Sequence, residues 1–513
     1  MSRRGMSRPP GLLLVSVAVA LLLAAPLVFL LIEAAGAGTG TVWQLVDRRL
    51  TATLLWNTIR LTVAVTVLCA VIGTGAAWLV ERTNLWGRRL WAVLIVVPLA
   101  IPDFVTSFGW STLSPDVHGF RGAVLVMTLA VYPLVFLPVS ASFRNSDTTQ
   151  EEVARSLGVG RLKTFVVITL GQAAVAILGG CLLVALAILA EYGAFEILAY
   201  QTFTTEIFSQ FSTSFDIPAA CGLSIVLILL GALALLGEAS LSGRRRVSRG
   251  DRGSARAMSR LQLGWWQIPA LLAIVALVGL ALGVPVGSAI HLWISGTKVG
   301  LSGVSVGAAT WHTALYGLGA AAISTAMAVP VAVLVVRHDT LGHRLLERST
   351  YLVMAMPGLV VALALSYFSE RYANGFDYQT AAMLIAAYAI LFFPLALVGV
   401  KASVAQSPPQ LEEVARSLGW SRWAVWWKVT RPLVTPGLTA AFCLVFLSVV
   451  TELTATLILV PINVQTLATQ FWAFQKDGSN GQAAPYALVM IAIAAAPSYV
   501  LGRYFDRLPN RAR

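Results

Sequence analysis

Apolar runs of about twenty residues recur along this chain, and stretches of that length with almost no charge match the hydrocarbon thickness of a bilayer. Twelve can be marked, near 11–32, 55–80, 91–112, 123–143, 172–198, 218–240, 266–291, 310–336, 350–368, 380–400, 433–460 and 485–502. No water in lipid can pair an open backbone, so each run must be a helix or part of a closed barrel. The period-two alternation of a barrel is missing, and helices are predicted throughout. Composition points the same way: 58% of the 513 residues are hydrophobic and 12% charged, more apolar surface than a soluble domain hides. The expected class is all-α integral membrane. The first run follows Arg3, Arg4 and Arg8 but exceeds the roughly 7–15 apolar residues of a signal peptide, so it is expected to stay as an anchor.

Basic residues orient the helices. With the N-terminus inside, the predicted cytoplasmic segments collect 29 of the 36 Lys and Arg residues, seven of them between Arg244 and Arg260. This positive-inside bias accounts for most of the net charge of +13 and removes any need for nucleic acid as a partner. Both termini are expected in the cytoplasm. The four cysteines, Cys69, Cys181, Cys221 and Cys443, lie inside apolar runs without CxxC spacing and read as small core residues. The five histidines, including His338 and His343 on a predicted turn, are scattered, and no carboxylate–histidine cluster of metal-site spacing accompanies them.

The octapeptide EEVARSLG occurs twice, at 151–158 and 412–419. Other matches surround it. At a shift of 255, Leu55-Trp56-Asn57-Thr58 meets Thr310-Trp311-His312-Thr313, and Ile101-Pro102 meets Met356-Pro357. At a shift of 261, Tyr132-Pro133 meets Phe393-Pro394 and Glu191 meets Glu452. Each half carries six predicted spans, an even number, so the two repeats run in the same direction across the membrane. The expected organisation is a first half over 1–243, an arginine-rich linker over 244–264 and a second half over 265–513. The linker reads as a solvated tether with secondary affinity for anionic lipid headgroups.

Both octapeptides fall after the fourth span of their half and read as short amphipathic helices. In the second copy Ser407 is the expected N-cap, with Pro408 at the first helical position and Gln410 three residues after the cap. Asp147 and Gln150 stand at equivalent spacing in the first. Gly158 and Gly419 supply left-handed ends. Glu151–Arg155 and Glu412–Arg416 are i,i+4 pairs worth a few tenths of a kcal/mol each, and Val153/Leu157 and Val414/Leu418 form a narrow apolar stripe. An ordinary surface elbow would not keep two matched copies, so the pair suggests a two-fold symmetric partner on the cytoplasmic side.

The pattern Glu-x-Ala, three residues, Gly, then a hydrophobic residue further on resembles the EAA loop of permease subunits of binding-protein-dependent ABC importers. Glu152, Ala154, Gly158, Ile168 and Leu170 match in loop 147–171; Glu413, Ala415, Gly419, Val429 and Pro432 match in loop 407–432. Gly171 and Arg431 depart from the family's Pro and Leu. The resemblance implies a type I importer permease fold, fused from two domains, in a bacterial inner membrane. It also implies two copies of an ATPase subunit docked on the two loops, and an extracytoplasmic solute-binding protein. The coupling residues it suggests are Glu151, Glu152, Ala154, Arg155 and Gly158, with Glu412, Glu413, Ala415, Arg416 and Gly419. The segments AEYGAFEILAYQTFTTEIFSQF (190–211) and TELTATLILVPINVQTLATQFW (451–472) resemble fused permeases of ferric-iron importers, with thiamine and aminoalkylphosphonate importers using related chains.

No GxxxxGK[ST] loop is present; Gly158-Val-Gly-Arg-Leu-Lys-Thr164 lacks the glycine before the lysine, so phosphate cradling is not expected here. No nucleophile–base constellation stands out either. The chain is expected to be no enzyme and to bind no cofactor, ATP and its magnesium being handled by the partner. Glu191 and Glu452 read as carboxylates inside the fifth span of each half. There they would line a pathway or be hydrogen-bonded within the bundle, and Asp103 beside Pro102 is a third candidate, asymmetric because its counterpart in the second repeat is Gly358. A proton-coupled secondary transporter also fits twelve spans in two halves, and ERTNLWGRRL (81–90) resembles a basic loop of the major-facilitator class. That class has no use for a repeated EAA loop.

Overall fold

A computed structural model of the chain describes residues 10–36, 49–144, 146, 149–214, 216–246, 260–296, 305–337, 350, 353–372 and 379–507. Among them the only β-type pairing is an isolated bridge between Thr83 and Leu261; the rest of the regular structure is helical. Nine described helices are long and apolar enough to cross a membrane, or ten if one bent pair counts as a span. They answer to the predicted runs except in three places.

The third run of the first half is the bent pair: Arg88–Ala100 and Asp103–Leu113 meet at 94°. The cause is Pro102. A proline pushes the residue before it out of the helical region, and Ile101 is extended (φ −95°, ψ 123°). The matched run in the second half also breaks at its proline, with a short 3-10 turn at Val353–Ala355 and a helix from Gly358 to Tyr372. The last run is a helix over Asn480–Arg507 whose apolar part is the shorter stretch Asn480–Ala495.

The helices gather into two compact units, and these do not follow the order of the chain. One unit holds the core of the second repeat: Val306–Arg337, Ala381–Ala405 and Arg431–Val450 pack on one another. The first helix of the chain, Pro10–Gly36, belongs to this unit, packing on Val306–Arg337 and Gly358–Tyr372. Phe29 sets its ring edge-on to Phe368 and Tyr372, at 6.1 and 6.2 Å between centroids. The other unit holds the core of the first repeat: Arg49–Arg82, Pro133–Arg144 and Leu170–Ala190, with Ile217–Arg246 against the last. It also takes in the helix that opens the second repeat, from Gln267, whose Gly279–Gly283 π-turn lies on Gly119–Val131. Each repeat thus has its first helix in the unit of the other repeat's core. Hydropathy carries no information on that choice, because both candidate neighbours are equally apolar.

The described end of the linker is pinned rather than free. Leu261 N–H donates to the Arg82 carbonyl (2.9 Å), Asn84 N–H to the Leu261 carbonyl (3.2 Å) and Leu263 N–H to Asn84 Oδ1 (2.9 Å). Residues 247–259 of the linker, with Asp147, His338 and His343, lie outside the described residues.

Candidate functional site

The two octapeptides form the helices Thr149–Ser156 and Pro409–Ser417. The N-cap of the second is Pro408, with Pro409 at the first helical position, one residue later than the sequence suggests. Pro408 holds an extended ψ of 127°, as expected of a residue before proline, so the helix cannot start on it. Both helices end alike. Gly158 and Gly419 take φ of 80° and 84°. The next residue's N–H reaches back five positions, Val159 to Ala154 (3.0 Å) and Trp420 to Ala415 (3.1 Å), while the glycine N–H bonds the Arg155 or Arg416 carbonyl. This is the double closure of a Schellman end. Open space surrounds both glycines, so Gly419→Ala should cost about 1 kcal/mol from backbone conformation alone. A thermal melt of the purified protein would show that drop without loss of any contact.

The first glutamate of each octapeptide turns inward. Glu151 is paired with Arg82 and accepts a hydrogen bond from Thr169 Oγ1 at 2.8 Å. Glu412 is held by both Nη atoms of Arg337, Nη1 reaching Oε2 at 2.7 Å, and by Thr430 Oγ1 at 2.7 Å. Arg82 and Arg337 close the second span of their repeats. Thr169 and Thr430 each end a π-helical segment, Phe165–Thr169 and Trp426–Thr430. The wider turn recurs at the same place in both repeats, a placement common for π-bulges at functional sites. The i,i+4 pairs read from the sequence are present but secondary, with Arg155 at 4.0 Å and Arg416 at 3.6 Å from their glutamates and half exposed. Burial pushes the Glu412 carboxyl up; hydrogen bonds from Arg337 and Thr430 and the charges of Arg337 and Arg416 outweigh this and leave it below the ordinary carboxylate value.

Everything else on these helices follows from that clamp. Ala154 and Ala415 are buried, while Glu152 and Glu413 are exposed. Val153, Leu157, Val414 and Leu418 are exposed as well, Leu157 at 77% and Leu418 at 71%. The apolar stripe therefore faces away from the bundle. An exposed apolar patch rimmed by charge is the signature of an interaction surface. Arg82, Arg337, Thr169 and Thr430 escaped the sequence reading, although the arginines stand 255 and the threonines 261 residues apart, the two shifts of the repeat.

The fifth spans hold the other candidates. Glu191 and Glu452 do not lie inside a helix, as the sequence suggests; they stand just beyond its end, after Leu170–Ala190 and Arg431–Val450. Each carboxylate caps the short helix that follows, accepting the N–H of Ala194 (2.7 Å) or Ala455 (3.0 Å). A capping carboxylate satisfies an otherwise orphan donor, which is why the span breaks there. The Glu191 carbonyl accepts from Thr204 Oγ1 (2.5 Å), and that of Glu452 from Thr456 Oγ1 (2.7 Å). Asp103 opens the helix Asp103–Leu113. At its counterpart Gly358, an added Cβ would sit 2.6 Å from Glu452 Oε1. Gly358→Ala must therefore displace that carboxylate, an overpacking change expected to cost about 1–3 kcal/mol; a melting curve alongside Gly307→Ala, where nothing is within 4 Å, isolates the effect.

A duplicated helical unit, a matched clamp at each loop and two exposed apolar stripes are what the two repeats share. The sequence profile of the binding-protein-dependent transport system inner membrane component matches residues 70–246 and 324–513. The chain belongs to this family. Among curated proteins it is 36% identical over 501 residues to the Fe(3+)-transport system permease protein FbpB 2 of Haemophilus influenzae, covering 97% of this chain and 99% of that one. It is 22% identical to the ferric transport system permease protein FbpB of Actinobacillus pleuropneumoniae, over 81% of this chain and 65% of the relative. It is also 26% identical to the molybdenum transport system permease protein ModB of Escherichia coli, over 36% of this chain and 88% of the relative. The permease is a multi-pass inner membrane protein of an ABC importer, in a family that is generally non-enzymatic. Membership implies an ATPase and a solute-binding protein as working partners.

Proposed function

We propose that this permease forms the translocation path of a ferric-ion importer and is driven by two ATPase subunits, one on each octapeptide helix. The observation that carries the coupling role is the repeated clamp. In both repeats an arginine at the end of the second span and a threonine from the π segment seize the first glutamate of the helix. A pull on the helix is thereby delivered to two spans at once. ATP and its magnesium belong to the partner, and the basic bias puts both loops and both termini in the cytoplasm. Nucleotide binding closes the ATPase pair, the loops follow, and the repeats alternate their opening between the two sides. Such a cycle requires the loops to make different contacts in the two states, because a ligand biases only what it binds differentially. The likeness to the Fe(3+)-transport permease supports ferric ion as cargo. Glu191, Glu452 and Asp103 supply hard oxygen donors for it along the route.

Uptake of labelled ferric iron, thiamine and molybdate in cells lacking the gene, with and without complementation, tests this reading. Loss of iron uptake alone, restored by the wild type and not by E152A/E413A at equal membrane levels, is the expected result. Intact iron uptake would sink the cargo assignment, and full rescue by the double variant would sink the role of the two exposed glutamates.

A further inference from the structure

The repeats differ at one point where function has most to gain. In the unit built on the second repeat, Glu452, Tyr316, Tyr388, Thr456, Thr313 and Thr466 line a small, partly open cavity, with room for on the order of one water molecule or one bare ion. Three of these positions are polar in this repeat only. At the shifts of 255 and 261, Tyr316 corresponds to Leu61, Tyr388 to Met127 and Thr456 to Phe195, and in the first repeat those three side chains are packed into the apolar core. The glutamate is kept in both copies. The first repeat keeps its capping glutamate without these three hydroxyls, so the cap alone does not require them.

We propose that this cavity is a binding site for a single hard cation in transit, a reading that rests on the ferric assignment above. The hydrogen bonds leave the right atoms open. Thr456 Oγ1 donates to the Glu452 carbonyl, so in its 2.6 Å contact with Tyr388 it accepts, and the tyrosine hydroxyl is the donor. The phenolic oxygen keeps its lone pairs for a ligand. Glu452 accepts the Ala455 N–H at 3.0 Å and further hydrogen bonds from the backbone and side chain of Thr454, which leaves about one of the roughly four acceptor sites of a carboxylate, and its charge, for a ligand. No lysine, arginine or histidine lines the cavity. Carboxylate, phenol and hydroxyl oxygens are the donors a hard cation selects, and one carboxylate among few ligands holds it weakly enough to let it go. Thr313 and Thr466 are already engaged, Thr313 by the Leu467 N–H and Thr466 in the capping box of the helix Leu467–Lys476, and serve as walls.

The test uses the full-length permease with its ATPase in lipid nanodiscs. Ferric nitrilotriacetate is the probe, radiolabelled and read by equilibrium dialysis, and labelled-iron uptake is measured in cells with the same variants. The variants are Glu452→Gln, Tyr388→Phe, and the triple change Y316L/Y388M/T456F, which installs the first repeat's residues; Glu191→Gln reports on the other copy. Wild-type binding of about one ion, weakened about tenfold or more by E452Q and Y388F and abolished by the triple variant, is expected, with uptake falling in parallel. Melting temperature and co-purification of the ATPase are the folding controls. No binding by the wild type, or binding and uptake untouched by E452Q and Y388F, overturns the site. Binding that obeys the variants while cells without the gene import iron normally would keep the site and remove ferric iron as the cargo.

Discussion

Replacing Arg337 by methionine should be among the most damaging single changes in the permease. Glu412 would then be left buried with its Thr430 bond and only the half-exposed Arg416 for charge. Breaking a buried pair from one side costs about 3–5 kcal/mol, whereas exchanging both members for apolar residues of similar volume is close to neutral. R337M is therefore expected to lower the melting temperature sharply and to abolish transport-coupled ATP hydrolysis. The R337M/E412M double variant should regain most of the melting temperature without regaining coupling. A double variant as unstable as the single one would mean that the pair is not the clamp. Acid should act on the same contact. The Glu412 carboxyl is lowered in the folded state, so its contribution is present in full above the ordinary carboxylate value of 4.5. It is lost as pH falls through the lower folded value. Wild type should thus lose stability on acidification below that point more steeply than R337M/E412M does.

The second large effect concerns the outward face. Leu157→Asp or Leu418→Asp should each cost at least ~2 kcal/mol of ATPase binding, about 30-fold in affinity, if these leucines are central anchors of the contact. Both leucines are exposed in the isolated permease, so the melting temperature of the purified chain should barely move, surface changes lying within about 0.5 kcal/mol. Co-purification of the ATPase and its titration onto nanodisc-bound permease would read the loss. Equal affinity for wild type and the L157D/L418D variant would place the docking face elsewhere.

How much of this was open to a reader of the sequence depends on the range of the interaction. The apolar runs, their helical form and the doubling of EEVARSLG are local or self-referential properties, and they lead directly to two membrane repeats. The breaks at Ile101-Pro102 and Met356-Pro357 are local too, since proline acts on its own neighbour. They went unread only because an apolar run masks a bend. The inward glutamates are another matter. Glu151 and Glu412 looked like partners of Arg155 and Arg416 one turn away, yet their main partners lie 69 and 75 residues off. A helix surface suggests only the i,i+4 neighbour.

What the sequence by itself determined is the material: twelve apolar runs, two copies of one plan, a basic side, and two amphipathic helices with their glycine ends. Tertiary structure alone decided three further things. It chose which repeat's core each opening helix joins, a choice between equally apolar neighbours on which hydropathy is silent. It turned one glutamate of each pair inward and left the other outside, because an arginine and a threonine from remote spans converge on only one face of the helix. It also made a cavity of Tyr316, Tyr388, Thr456 and Glu452. Those residues come from three separate helices and the break before one of them, and no periodicity along the chain records that they meet.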